Sequence, residues 1–399
     1  MFLLFLLGFA LDSPVVVTNP LEPGPHTIQF KEDLRFGGTG EENKLWTDGQ
    51  ISVFFSVDPS GHFFICDVKA TTILEFDNRG DFIRKIAVKG EGPGEYQNIV
   101  SFSVLENGNM VGLDSLRAVS KFNYYDKDGK LIDSKSINDA TRMFRRTVFA
   151  PNGEHFFSGL MSQNRATQSM DYKTGYFNAD LNEIKTLSVT SRPRPSGPPQ
   201  MDKPEWWINV IADQLKDYLE RGVAFMRFLP NNDVLVVRDK HYEIEKWSAD
   251  LKTKQMVIKK EFKPVPFDED DKDALVEWLR ESIFEQSPQI ANVVTSSVLR
   301  KATEKAELPL TQVPIADILP MEDGQFLTVD QTSFSTGKVS GHIFDKEGKC
   351  VGSYQFPGQG VYDLFGTRIS FKNGFAYAME RNEDGDNVMV RYTYELVKK

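Results

Sequence analysis

Two cysteines, Cys66 and Cys350, are all that occur in 399 residues, which excludes both a disulfide framework and a thiolate zinc site. Free cysteines of this kind pack as small apolar residues, here within strands. Histidine is scarce as well, with five residues: His26, His62, His155, His241 and His342. His62 and His155 each stand within two residues of a turn glycine, on the tight-turn side of a hairpin, which argues against a histidine-rich metal centre or a histidine-dependent hydrolase on the opposite side. A Gly-x-Ser-x-Gly elbow is missing, so nucleophilic catalysis has no candidate. Positive charge is in deficit, with a formal net charge of −10 and a pI near 5.2. Phosphate recognition needs clustered Lys and Arg, and nucleic-acid binding is therefore excluded.

Long apolar runs are also missing. Residues 1–11, MFLLFLLGFAL, are too few to span a bilayer and end at Asp12 and a Pro-rich stretch. The run reads as the apolar region of a secretory signal, and Gly8 with Ala10 supplies the small-x-small pattern of a cleavage site, although a basic n-region is lacking. The expectation is export. No later segment reads as a transmembrane helix, and no cysteine follows the run to accept a lipid.

What the sequence has is a repeat. Six windows share one pattern of a turn residue, an apolar strand and, in five of them, an acidic end: GHFFICD from Gly61, GNMVGLD from Gly108, GEHFFSG from Gly153, DVLVVRD from Asp233, GQFLTVD from Gly324 and GFAYAME from Gly374. Each follows an apolar run that closes on a turn signal such as LENG, APNG or FKNG. Asn-Gly and Asp-Gly supply the positive φ of tight hairpins, so each window is the second strand of a hairpin. Third and fourth strands recur after it, as in LEFDNRGDFIRKI at 74–86 and HIFDKEGKCVGSYQF at 342–356. The shorter anchor spacings of about 45–50 residues match one blade of a β-propeller. A four-stranded sheet that is apolar on both faces must stack on neighbours until the stack closes. The prediction is an all-β, six-bladed β-propeller over residues 26–399, with residues 27–36 returning as the outer strand of the last blade.

Antiparallel order puts tight turns on one face and places second-to-third loops, blade crossings and two insertions on the other. The insertion at 190–222 reads as a helix from Pro204 to Arg221, stopped by Gly222. The insertion at 263–312 opens on the acidic run DEDDKD, suited to a helix start. Trp206, Trp207 and Trp278 fall within these insertions and are candidates for a lid or a partner surface, or simply for anchoring the helices.

Five acidic strand ends, Asp67, Asp114, Asp239, Asp330 and Glu380, recur too regularly for one active site. They are expected to cap turns by accepting backbone N–H groups, with calcium as a minor alternative use. Gly90, Gly92 and Gly94 of GEGPGEY lack the Lys-Ser or Lys-Thr of a phosphate loop and are expected to shape a crossing between blades. Asp126-Lys127-Asp128-Gly129 resembles the start of a calcium loop without its closing glutamate. First strands line a propeller channel, so Arg145, Arg146, Arg227, Asp317 and Arg368 are the candidate binding residues. Converging arginines would favour an anionic ligand; paired with carboxylates they would be structural.

The YDxxG-type hairpin at Tyr125–Gly129, the strand and crossing FIRKIAVKGEGPGEY at 82–96 and the turn ENGN at 106–109 resemble exported bacterial six-bladed β-propellers with NHL-like repeats. The match is good over 61–137, recognisable in the fifth unit and faint elsewhere. The resemblance implies the fold and an extracytoplasmic setting, periplasmic or at the cell surface. Related propellers include metal-dependent lactonases and amidating lyases, whose metal-binding residues do not map onto this sequence.

Together these features favour a non-enzymatic binding propeller for a protein partner or a small anionic molecule, with no cofactor. A calcium-type hydrolase, lactonase or lyase at the channel mouth is the alternative, and a structural envelope module a third. Metal analysis of purified protein separates the first two: the expected result is no stoichiometric calcium and a melting temperature unchanged by chelator, whereas tightly held calcium would favour the enzyme.

Overall fold

A computed structural model describes residues 13–37, 46, 53–116, 119–138, 143–164, 167, 169–193, 200–219, 226–238, 241–286, 288–307, 311, 314–330, 338–359, 361–363 and 366–399. The signal-like segment 1–11 lies outside them. The fold is mostly β. By pairing, the described strands form three antiparallel sheets of four, a sheet of five, a sheet of eight in which two antiparallel meanders of four meet through His26 opposite Gly352, and the short pair Tyr362–Asp363 with Gly366–Thr367; each meander is described as one unit. Unit 1 runs through Val53–Val57, Phe63–Asp67, Thr72–Phe76 and Phe82–Ala87, and unit 2 through Ile99–Val104, Met110–Leu116, Val119–Tyr125 and Leu131–Asn138. Unit 3 has longer strands, Met143–Phe149, His155–Asn164, Ser169–Asn178 and Glu183–Pro193. Unit 4 comprises Met226–Phe228, Val234–Arg238, Glu243–Trp247 and Lys254–Lys260, and unit 5 Asp317–Pro320, Phe326–Val329, Ser340–Phe344 and Cys350–Gln355. Unit 6 is built from Ile369–Lys372, Phe375–Arg381 and Asn387–Lys398, and its fourth strand is His26–Phe36 from the start of the chain.

Turn chemistry sets the hairpins. Gly108 at φ +81° and Gly129 at φ +75° hold left-handed positions that cost an L side chain energy and glycine nothing. In unit 4 the same duty falls to Asn232 at φ +66°, asparagine being the side-chain-bearing residue best suited to it. In unit 1 the middle strands are covered on both faces: every residue of Phe63–Asp67 and Thr72–Phe76 is buried, while the outer strand Phe82–Ala87 is largely exposed.

The covering comes from the neighbouring units. Units 1 and 2 share an apolar cluster around Phe64, Ile73, Tyr96 and Phe102, units 2 and 3 one around Val111, Phe122, Phe144 and Phe156, and units 3 and 4 one around Phe157, Tyr176 and Phe228. Leu235, Ile244, Ile318 and Phe344 join units 4 and 5, and Leu327, Ile343, Ile369 and Ala376 join units 5 and 6. The next cluster returns to the start, packing Tyr377, Met379 and Met389 of unit 6 on Val53, Phe63 and Ile65 of unit 1. His26–Phe36 pairs antiparallel with Asn387–Lys398, from His26 opposite Lys398 to Phe36 opposite Met389. Cys66 is buried, as a small apolar residue would be, and burial pushes its thiol well up from its ordinary range.

Three boundaries differ from the sequence expectation. The folded part begins before residue 26: Val15–Asn19 adds to unit 4 as a parallel fifth strand, Val15 opposite Met256 and Asn19 opposite Lys260. No hairpin turn introduces such an edge strand, so turn-based reading misses it. The segment 190–222 begins as strand, because Glu183–Pro193 continues to pair as far as Pro193 opposite Ser169; helix α1 covers Pro204–Leu219, and Arg221 with Gly222 lies outside the described residues. The segment 263–312 holds two helices, α2 at Glu269–Gln286 and α3 at Ser296–Lys305. Thr295 caps α3 by accepting the Val298 N–H, an N-terminal signal of ordinary kind. No described helix is long and apolar enough to cross a membrane.

The Asn19 side chain is buried, its amide donating to Gly348 O at 3.0 Å and Lys259 O at 3.2 Å while its oxygen accepts the Cys350 N–H at 2.8 Å. It therefore ties the leading strand to units 4 and 5 at once. Asn19→Ala removes the partner of three backbone groups, that of Gly348 buried, and is expected to cost about 1–3 kcal/mol in urea unfolding; a loss below the scatter of the measurement would show the strand to be an ornament.

Candidate functional site

First strands begin where second strands end: Asp317 lies opposite Val329, Met226 opposite Val236 and Ile369 opposite Ala378. Arg227, Asp317 and Thr367 therefore gather at one end of the inner strands of units 4, 5 and 6, on the side of the second-to-third loops. A cavity of about 190 Å³ opens there, lined by Arg227, Asp317, Ile318, Leu319, Pro320, Thr367, Ile369, Ser370 and Phe371.

Asp317 organises this mouth. Its side chain is 2% exposed; Oδ1 meets Arg227 Nη2 at 2.6 Å and accepts the Ile318 N–H at 2.7 Å, while Oδ2 accepts Thr367 N–H at 3.0 Å and Thr367 Oγ1–H at 2.9 Å. Four donors satisfy a carboxylate that would otherwise be costly to bury. Arg227 also donates to Met226 O at 3.0 Å and keeps 27% of its side chain exposed on the cavity wall. Arg368 stands beside this group and donates from Nη1 to Asn387 Oδ1 at 3.1 Å. Arg145 and Arg146 lie on Met143–Phe149, but their side chains fall outside the described residues. The pairing of Arg227 with Asp317 across two units is the carboxylate pairing allowed for in the sequence.

Ile211 and Leu215 of α1, Leu275 and Val276 of α2 and Val298, Leu299 and Ala302 of α3 form one apolar cluster, so insertions separated by the whole of unit 4 build a single cap. Arg381, at the loop-side end of a unit 6 strand, approaches Glu281 of α2 at 3.8 Å. Trp206 and Trp207 pack edge to face with centroids 4.8 Å apart, and Trp207 Nε1 donates to Met201 O at 2.9 Å. Trp207 joins the cap cluster, and Trp278 is half-buried on α2.

The acidic strand ends diverge in use. Asp67 accepts the Ala70 N–H at 2.8 Å, and Asp114 accepts Gln97 and Asn98 N–H at 3.0 and 2.8 Å. Glu380 meets Arg35 of the closing strand at 3.1 Å and accepts the Tyr392 hydroxyl, whose acidity burial and this carboxylate suppress. Asp330 reaches His342 instead, Oδ2 lying 3.1 Å from Nδ1. Asp239 lies outside the described residues. In GEGPGEY, Gly90 N–H donates to Tyr96 O and Gly92 N–H to Glu95 Oε2, both at 2.9 Å. Gly94 has φ +76°, and Lys121 Nζ caps Glu95 O at 2.7 Å, which makes the segment a folded corner between units 1 and 2. Asp126 spends Oδ1 on the N–H groups of Asp128 and Lys130, at 3.0 and 2.8 Å, as a hairpin turn requires. Among the described residues no group of three or more His, Cys, Asp or Glu side chains is placed to hold a metal ion.

Sequence reasoning passed over His342 and Tyr242. The signal was present: at the aligned third-strand position units 1, 2 and 4 carry Leu74, Asn123 and Glu245, and an imidazole occurs in unit 5.

Residues 49–192 match a family model described as a 6-bladed beta-propeller. No curated protein matches the sequence. Among solved structures, a Bacteroides fragilis protein predicted to be exported superposes with a TM-score of 0.51 at 12% identity, covering 96% of this chain and 100% of that one. The virginiamycin B lyase of Staphylococcus aureus gives a TM-score of 0.43 at 8% identity over 92% of this chain and 99% of its own. The family match over units 1 to 3 and the first of these superpositions over almost the whole length lead to one fold: the chain is a β-propeller.

Proposed function

We propose that this β-propeller is six-bladed, carries its two helical insertions on one face, and works outside the cytoplasm as a non-catalytic module whose mouth binds a small anionic ligand. The observation that supports this reading is the setting of Arg227. Asp317 anchors the guanidinium, whose side chain stays 27% exposed, and Asp317 is itself held by the Ile318 N–H and by Thr367. A pre-positioned guanidinium on the wall of a cavity of about 190 Å³ suits a carboxylate or phosphate group through charge-assisted hydrogen bonds. The apolar leading run of residues 1–11 supports export. The Trp206–Trp207 pair on α1 supports a second reading, a protein partner bound at the cap, because paired aromatic side chains suit interface anchors.

Thermal-shift titration with inorganic phosphate, acetate and succinate tests the mouth. At least one of them is expected to raise the melting temperature of the wild-type protein, and Arg227→Leu to abolish that rise; equal responses in both proteins, or none in the wild type, would remove the anion from the reading. Asp317→Ala is expected to destabilise the protein by about 2–4 kcal/mol in urea, because it removes the carboxylate paired with Arg227 and the acceptor of two backbone N–H groups.

A further inference from the structure

The cavity at Arg227 has two ends of different character. At the mouth stand Arg227, Asp317 and Thr367, with Asp317 bound both to the guanidinium and to Thr367. Beyond them the lining follows two first strands toward the tight turns, through residues 318–320 of unit 5 and 369–371 of unit 6. Three residue steps of about 3.3 Å carry it roughly 10 Å from the mouth. Leu319, Ile369 and Phe371 on this stretch belong to the apolar cluster between units 5 and 6, and Ser370 supplies its single hydroxyl.

Charge is confined to the mouth. Among the described residues that line the cavity Arg227 is the one cation and Asp317 the one carboxylate, and both carboxylate oxygens already accept hydrogen bonds. A ligand with a single anionic group can set it against the guanidinium. A second anionic group carried toward the floor would lose its water and meet no cation, which is costly. A phosphate monoester brings a charge of about −1.5 to −2 at neutral pH to one guanidinium already paired with Asp317, so a carboxylate suits the mouth better. The uncharged remainder of the ligand meets apolar side chains, for which transfer out of water is favourable. Size sets the other limit: an apolar cavity of about 150 Å³ accommodates benzene, so one of about 190 Å³ has room for a body of about six carbons with its head group at the opening.

We infer that the ligand of this mouth is a monocarboxylate with an apolar body of about six carbons, such as hexanoate or benzoate. Its carboxylate accepts hydrogen bonds from the Arg227 guanidinium, and its body lies along Leu319, Ile369 and Phe371. The inference rests on the anionic reading of the mouth and specifies the ligand's other end. It makes the first strands of units 5 and 6 the determinants of specificity, while Arg227 of unit 4 fixes the head group.

Ligand-detected NMR titrations of the intact chain with acetate, butyrate, hexanoate, benzoate, succinate, inorganic phosphate and hexan-1-ol test it. Affinity is expected to rise about fourfold per methylene from acetate through butyrate to hexanoate, with one hexanoate bound per chain and benzoate competing for the same site. Succinate and phosphate are expected to bind no better than acetate, and hexan-1-ol at least about tenfold more weakly than hexanoate, because it lacks the charge-assisted contact. Arg227→Leu is expected to bring hexanoate down to the level of hexan-1-ol. Equal affinities along the acid series, or a preference for phosphate or succinate, would overturn this inference and leave the anionic reading standing. Hexan-1-ol binding as tightly as hexanoate, or no binding by any of the acids or phosphate, would overturn both. The wild-type series decides the matter without any variant having to fold.

Discussion

Burial of both faces of every sheet is the constraint from which the rest of this molecule follows. A strand such as Phe63–Asp67 is apolar on its two sides, and the exposed alternative would leave side chains worth about 1.5–3 kcal/mol each in water. Each sheet can satisfy both faces only against two other sheets of the same kind. The last interface must then return to the first, and Tyr377 and Met389 packing on Val53 and Phe63 does this. The outer position of unit 6 is filled by the strand His26–Phe36, which removes an edge and ties the two ends of the chain together.

Polar groups have to live within that constraint. At the end of each second strand the chain leaves a buried sheet, and a carboxylate there can take up the backbone N–H groups of the following corner, as Asp67 and Asp114 do. In Glu380 it is used for ring closure through Arg35 and Tyr392, and in Asp330 for holding an imidazole. Asp317 extends the pattern to a first strand, where one carboxylate joins donors from units 4, 5 and 6. The loop side thus carries individuality, while the tight-turn side repeats the same Asx-type turns at Asp58, Asp77, Asp126 and Asp345.

Local signals announced the β-architecture. Positive-φ glycines and alternating apolar residues report on neighbours a few positions away, so the hairpins around Gly61, Gly108, Gly324 and Gly374 could be read directly. The start of α1 at Pro204 and the acidic start of α2 were legible for the same reason. Helix α3 and the strand Val15–Asn19 were not read: the first hides in a long insertion, and the second pairs in parallel with residues some 240 positions away. Helices from two insertions joining in one cap is likewise a matter of distant packing.

Among the candidate residues the division is the same. By itself the sequence placed Arg145, Arg146, Arg227 and Asp317 on first strands, with Arg368 just ahead of Ile369–Lys372, and Asp67, Asp330 and Glu380 at or beside the ends of second strands, because both follow from periodicity within one unit. Which of them met was decided only by tertiary structure: Arg227 with Asp317, Glu380 with Arg35, and Asp330 with His342. Only Arg227 with Asp317 joins two units and depends on how two sheets lean on each other; Glu380 with Arg35 closes unit 6 across 345 residues and Asp330 with His342 spans neighbouring strands of unit 5, and these separations carry no common period that a reading along the chain could detect.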